Sequence, residues 1–224
     1  SVPQALPTAP QRFDEAWLIA QDDDLIVVNK PAGLLAHTTR YGSQADLLTL
    51  ARQRFGKVTL FHRLDRDTSG VVLLTRSRAI NRYLDAAFKA KRVRKHYVAL
   101  IPHPNNLAAS GTVKRRLGPD PRNKQKRVVV ERGGQAAITD YERGAVRAGR
   151  QAVHLYPQTG RTHQLRVHLA HLGTPILGDR LYSPNAEQFE RLHLHAHQIT
   201  LPQGDDFPER SFTAPVPSAF GWPE

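Results

Sequence analysis

A chain of 224 residues with 32 Lys+Arg against 20 Asp+Glu carries a formal charge of +12. Such a surface is built to meet something anionic: nucleic acid, an acidic membrane face or an acidic protein. At 40% hydrophobic and 23% charged residues the composition is globular, with apolar runs too short for a membrane span, and the absence of cysteine excludes a disulfide framework, a thiolate zinc site and a cysteine nucleophile.

Residues 1–16, with three prolines in the first ten and no periodicity, read as an irregular arm. No charged-then-apolar leader opens the chain, so a cytoplasmic location is expected. Apolar runs at Trp17–Gln21 and Leu25–Lys30 flank Asp22-Asp23-Asp24 and predict two antiparallel strands joined by an acidic turn. Asp46 to Phe55 predicts a helix ended by Gly56, and Val71 to Thr75 a strand. Ser77 can cap a helix from Arg78 to about Lys91, with Ile80, Leu84, Ala87 and Phe88 at helical spacing. Strand-like pieces follow at Tyr97–Ile101, Val113–Leu117, Val128–Glu131, Ala137–Tyr141 and Val153–Tyr156. A helix from Thr162 to Leu172, with Leu165, Leu169 and Leu172 facing inward, precedes a strand from Leu192 to Leu201. With no repeat and no long polar linker, residues 17–224 read as one α+β domain with a strand-heavy sheet and helices packed on it.

The densest polar cluster, His62-Arg63-Leu64-Asp65-Arg66-Asp67-Thr68-Ser69-Gly70, lies directly before an apolar strand. If extended there, Arg63 and Asp65 share one face and Leu64 points into the core. A carboxylate beside guanidinium groups stays ionised and can serve as a nucleophile, whereas the same residues can equally build a surface turn with ion pairs. The cluster is not a kinase catalytic loop: an extra residue separates Arg63 from Asp65, and the chain has no G-x-G-x-x-G or Asp-Phe-Gly sequence.

Gly160-Arg161-Thr162-His163 opens a helix whose free N–H groups would suit a phosphate, and Arg166, one turn in, needs an anion if it is buried; Asp65 is a candidate. Tyr97 shares a strand face with Lys95 and Ala99 and either presents its ring to a base or fills the core. Basic residues concentrate in Lys89–Lys95 and in Lys114–Arg127, where Arg115, Arg116, Arg122, Lys124, Lys126 and Arg127 occur among turn residues. Loops of this kind grip a nucleic-acid backbone, and the second is too rich in turn formers for a membrane-binding amphipathic helix. His193, His195 and His197 on one strand side would need a carboxylate to hold zinc, and no H-E-x-x-H occurs, so no metal site is expected.

Taken together, Val27-Val28-Asn29-Lys30-Pro31-Ala32-Gly33-Leu34, His62-Arg63-Leu64-Asp65 with Thr68-Ser69-Gly70, Lys95 and Tyr97, Gly160 to His168, and Gly173-Thr174-Pro175-Ile176-Leu177-Gly178-Asp179 resemble the RluA-type pseudouridine synthases in order and spacing. The resemblance runs from about Trp17 to Pro215. It implies a long, mixed, mostly antiparallel sheet crossed by a central RNA-binding cleft, and isomerisation of uridine in structured RNA, ribosomal or transfer RNA stem-loops, with no cofactor or metal. It further implies Asp65 as the catalytic aspartate, Tyr97 as the tyrosine packed on the base and Arg166 as the arginine paired with Asp65. Arg63 would fill the space left by the extruded nucleotide, and Leu194 would line the pocket. His62, Arg161, Thr162 and His163 are expected to bind substrate beside them.

The chemistry must break the N1–C1′ bond, turn the uracil and rejoin it through C5, which a stacked base does not permit, so the uridine must leave its helix or loop. Asp65 would attack C1′ or C6 or remove a sugar proton, and the Tyr97 hydroxyl is one candidate base for the C5 proton. The sixteen residues before Trp17 have no room for the S4-type RNA-binding module that many relatives carry, so a monomer gripping RNA with its catalytic domain and basic loops is expected. The rival expectation is an RNA-binding or chaperone protein on the same scaffold without chemistry.

Overall fold

The computed structural model describes residues 9–38 and 45–221. The first half of the arm expected at residues 1–16 therefore lies outside the described residues, and its last part runs into a short 3-10 turn, Glu15–Trp17, capped by Asp14. Trp17 thus belongs to that turn, and the first strand, β1, is Leu18–Gln21.

Strands β2 (Leu25–Lys30) and β4 (Ser69–Thr75) carry the continuous apolar runs because they are covered on both faces. On one side Ile26, Val28, Val72 and Leu74 pack with Leu47, Leu50 and Ala51 of helix α1 (Leu47–Phe55). On the other, Leu25, Val27, Val71 and Leu73 pack with Ile80 and Leu84 of helix α2 (Arg78–Lys89). A strand buried on both faces has no reason to alternate polar and apolar residues. The helices start where capping residues allow: Asp46 accepts from Thr49 N at 2.7 Å, and Ser77 accepts from Ile80 N at 3.2 Å. Helix α2 ends at Lys89, two residues before the expected Lys91, which takes a left-handed φ of 54°.

The remaining elements are β3 (Thr59–Leu60), β5 (Arg94–Pro102), β6 (Ser110–Lys114), β7 (Arg116–Pro119), β8 (Arg127–Val130), β9 (Ile138–Arg147), β10 (Arg150–Pro157), α3 (Gln164–His171), β11 (Leu194–Leu201) and β12 (Arg210–Thr213). A ten-stranded sheet runs β1-β2-β4-β11-β5-β10-β9-β6, with β3 on β4 and β12 on β11, while β7 and β8 form a separate two-stranded sheet. The expected strand Val113–Leu117 is therefore two strands, broken at Arg115 where the chain leaves the large sheet for the small one. Lys114–Arg127, expected as a loop, is mostly this hairpin, with only 120–126 as its turn.

All pairings in the large sheet are antiparallel except β4 with β11, which is parallel and joins for two residue pairs, His195↔Ser69 and Ala196↔Gly70. Beyond that contact, β12 takes over the same edge of β11. The join requires Gly70: its φ is +121°, and a Cβ there would lie 2.2 Å from the Ala196 carbonyl oxygen. Two half-sheets thus meet at a short seam, with Ile199 and Leu201 of β11 in the core beside α2, and Tyr97 packs against a core cluster on each side of the cleft.

Helix α3 is buried on two sides, with Leu165 and Leu169 against the sheet and Val167 under the hairpin core of Leu117 and Ala137. The expected inward stripe therefore stops at Leu169. Leu172 lies past the helix end and is 38% exposed. No helix among the described residues is long and apolar enough to cross a membrane.

Candidate active site

The seam opens into a cleft of about 790 Å³ whose walls include Asp65, Tyr97, Arg166 and Leu194. Three local structures bring them there. The segment before β4 runs extended with Leu64 in the core, leaving Arg63 exposed and Asp65 turned toward the cleft. Strand β5 presents Lys95 and Tyr97 on the cleft side. Helix α3 begins at Gln164, two residues later than expected, because His163 takes a left-handed φ of 56°.

Arg166 is the hub. Its Nη1 donates to Asp65 Oδ2 at 3.2 Å, while Nε and Nη2 donate to the two carboxylate oxygens of Asp179 at 2.8 and 2.7 Å. Asp179 is fully buried and also accepts from the backbone N–H groups of Leu181 and Tyr182. A planar guanidinium gripped at two points has one edge left, and that edge meets Asp65. Burial alone would lower the Arg166 pKa, but the bonds to Asp179, and then the charge of Asp65, push it above its ordinary value. Asp179 stands in a motif quoted above yet was not among the expected site residues. The signal that could have found it is charge balance, since an arginine on a helix with no solvent-facing side needs a buried anion of its own.

His163 stands behind Asp65, with Nε2 3.9 Å from Oδ2, and its Nδ1 lies 2.8 Å from the Tyr182 hydroxyl. That hydroxyl also accepts from Arg127 N; with its own hydrogen given to His163 Nδ1, the Nε2–H tautomer would face Asp65. Burial lowers the pKa of His163 despite the nearby carboxylate, so the ring is a neutral polar neighbour. The Tyr97 phenol is pushed well up by burial and then by the charge of Asp65. It is protonated at neutral pH and offers the cleft a ring surface and a hydrogen-bond donor.

The other expected residues divide. His62 lines the cleft, but its Nε2 accepts from Leu73 N at 3.0 Å, which anchors the ring to β4, and burial holds its pKa down at about 4. Arg161, Thr162 and Arg63 line the cleft as well. At the start of α3 two backbone donors are already used, Gln164 N by Arg161 O and Arg161 N by Gln164 Oε1, and Arg161 Nε donates to Ala136 O. Of the backbone-gripping candidates, Arg115, Arg116, Arg122, Lys124, Lys126 and Arg127 lie on or beside the β7–β8 hairpin and none lines the cleft. Arg116 latches that hairpin to the carbonyls of Gly133 and Gly134, Lys126 lies over the Tyr182 ring, and Arg122 and Lys124 are exposed at the tip. Besides its arginines, the cleft is lined by the cations Lys89, Lys91 and Lys95.

The histidine row on β11 serves the fold. His195 Nδ1 meets Ser69 Oγ at 2.7 Å across the seam, and both His195 Nε2 and His197 Nδ1 bond the Ala214 carbonyl. Among the described residues no three His, Asp or Glu side chains converge as a metal site.

An ionisable carboxylate held by a buried arginine, facing an aromatic ring across an RNA-sized cleft, defines a class, and comparison with known proteins agrees with it. The family described as RNA pseudouridylate synthase matches residues 24–171, and the chain belongs to that family. It is an RNA-modifying isomerase that converts uridine to pseudouridine. The particular relatives include the dual-specificity RNA pseudouridine synthase RluA of Escherichia coli strain K12, 40% identical over 209 residues that cover 90% of this chain and 94% of that protein. An uncharacterised RNA pseudouridine synthase of Zymomonas mobilis is 38% identical over 89% of this chain and 93% of its own. Among solved structures, human RNA pseudouridylate synthase domain containing 4 superposes with a TM-score of 0.71 at 28% identity, covering 92% of this chain and 90% of that one. Human RNA pseudouridylate synthase domain containing 1 gives 0.74 at 26%, covering 88% and 82%.

Proposed function

We propose that Asp65 is the carboxylate that carries the isomerisation, with Arg166 positioning it, Tyr97 packing on the uracil and Leu194 closing the apolar side of the pocket. The observation that carries this reading is the Asp179–Arg166–Asp65 chain, which ends in the cleft beside Tyr97. Because Asp179 occupies the Nε–Nη2 edge of Arg166, Asp65 is held by one hydrogen bond from Nη1 and keeps its second oxygen for the substrate. Substrate isomerisation needs no outside reagent: the N1–C1′ bond breaks, C5–C1′ forms, and the C5 proton leaves as N1 regains one. Attack on C1′, attack on C6 and removal of a sugar proton are all steps for a carboxylate in this position.

Extruding the uridine costs a few kcal/mol. Stacking on Tyr97, insertion of the exposed Arg63 into the vacated space and contacts to phosphate offset it. The RNA proposed is a stem-loop of ribosomal RNA, transfer RNA or both; one E. coli relative is named for dual specificity. The chain is proposed to act as a monomer, and an RNA substrate of this kind supports a cytoplasmic location. Exchanging Asp65→Asn and measuring pseudouridine by chromatography and mass spectrometry tests the reading: RNA affinity should stay within a few-fold while product disappears. Turnover near that of the wild type would refute it, and RNA binding without turnover by the wild type would favour the non-catalytic alternative.

A further inference from the structure

Among the described residues, Lys30, Arg166 and Arg191 are drawn into the protein and have polar partners, and Lys95 in the cleft does not. Lys30 places its three ammonium hydrogens on the carbonyls of Pro31, Leu34 and Arg66. Arg166 has two aspartates, and Arg191 has the Ser69 hydroxyl and the carbonyls of Leu192 and Leu194. Lys95 has no hydrogen bond or ion pair among the described residues. Its side chain is half-buried, and burial pushes its pKa down to about 8, with no carboxylate to offset it.

Its position is specific. Lys95 shares the cleft face of β5 with Tyr97, two residues away. Its charge is felt by His62 on one wall, and its nitrogen lies by Gly160 on the other, 3.6 Å from where a methyl group on that glycine would stand. Lys89 and Lys91, which also line the cleft, are exposed and satisfied by water. An unpaired, poorly hydrated ammonium calls for a full negative charge. Uracil is neutral, whereas each nucleotide of an RNA brings one phosphate.

We infer that Lys95 holds the phosphate flanking the extruded uridine, and so places the target nucleotide over Tyr97 within reach of Asp65. This rests on the Asp65-centred reading of the cleft and makes Lys95 a binding and positioning residue with its own task, distinct from the general grip of the exposed basic blocks. The small side chain of Gly160 keeps the opposite wall open for that phosphate.

The test pairs a protein change with a single neutralised phosphate. The probe is an RNA stem-loop that the wild-type enzyme converts, made with a methylphosphonate linkage either 5′ or 3′ of the target uridine. One of the two neutral linkages should weaken wild-type binding by about tenfold or more, the scale of one charge-assisted hydrogen bond. Lys95→Gln should bind the unmodified RNA as weakly, with the loss in KM more than in kcat, and should lose nothing further with that linkage. Lys95→Arg should recover most of the wild-type response. If Lys95→Gln binds unmodified RNA as tightly as wild type, or stays as sensitive as wild type to that linkage, the inference is wrong. Should Lys95→Gln fail to fold, wild type and Lys95→Arg decide: indifference of either protein to both linkages overturns it. An active Asp65→Asn enzyme would instead remove the Asp65 reading while leaving this cycle intact.

Discussion

The two carboxylates on Arg166 are chemically alike and should behave in opposite ways when neutralised. Asp179 has no exposure and accepts four hydrogen bonds, two of them from a guanidinium that is itself 7% exposed. In Asp179→Asn the amide NH₂ faces Arg166 in either orientation, at Nε or at Nη2, and in the second the N–H groups of Leu181 and Tyr182 as well, so a donor meets a donor inside the protein. Removing one partner of a buried pair costs about 3–5 kcal/mol. For a chain of this size that corresponds to a fall in Tm of about 6–20 °C. Asp65 is 28% exposed and shares one 3.2 Å bond with Arg166. In Asp65→Asn an amide oxygen can still accept that bond and Asp179 still balances the arginine, so the loss should stay within about 1 kcal/mol. Thermal melts and pseudouridine formation measured on both variants separate the roles. Asp65→Asn should be folded and inactive, whereas Asp179→Asn should be unstable, with residual activity at temperatures where it remains folded. Equal Tm values for the two variants, or a larger drop for Asp65→Asn, would refute the assignment of Asp179 as the structural anchor.

Gly70→Ala would drive a Cβ into the Ala196 backbone at the seam and force φ = +121° on an alanine, so stability should fall by at least ~3 kcal/mol; denaturant midpoints check it, and a wild-type midpoint would contradict the close approach. Burial, followed by neighbouring positive groups, holds His62 and His96 at about 4, and burial holds His195 at about 4 despite its bond to Ala214. Between about 6.5 and about 4 the unfolded chain binds protons that these folded rings refuse, so stability should fall with falling pH by up to ~1.4 kcal/mol per unit for each fully buried ring. His195→Gln should flatten the slope, and a pH-independent Tm across this window would contradict it. Replacing Lys124, Lys126 and Arg127 together should weaken RNA binding and reduce the salt slope by about 0.9 per lost phosphate contact on a duplex, or about 0.7 on a single strand. An unchanged slope would move the RNA path off the hairpin.

What the sequence made legible is what local physics determines. Helices α1 and α2 and the paired runs of β2 and β4 follow from apolar spacing and from Asp46, Ser77 and Gly56 at their ends. The break at Arg115 does not, because the choice between continuing in the large sheet and pairing with β8 depends on residues far along the chain. The start of α3 is displaced for a similar reason: His163 accepts a left-handed backbone that its own side chain does not demand, and Tyr182 and Asp65 are its neighbours there. Short β3 and β12 pair with longer strands and carry no periodicity of their own. At the site, the motifs named Asp65, Tyr97 and Arg166, but the division of labour between Asp65 and Asp179 exists only once Arg166 is seen to touch both.

The net charge of +12 that first indicated an anionic partner is used at two depths. Exposed cations on the hairpin tip and near the cleft mouth attract any phosphate backbone, an attraction that salt screens and that no sequence controls. Cations inside are positioned by the fold: Lys30 ties the Pro31 turn to the Asp65 segment through Arg66 O, Arg191 ties β11 to Ser69, and Arg166 aims Asp65. Each of these has spent its donors on the protein and therefore orients without attracting. Lys95 belongs to the inner group by burial and to the outer group by its unspent charge. A nucleotide still stacked in its helix cannot bring its phosphate that deep, so engagement of Lys95 would coincide with extrusion of the uridine and help to offset its cost. Selection of the target then depends on which uridines extrude readily, as much as on contacts to the bases around them.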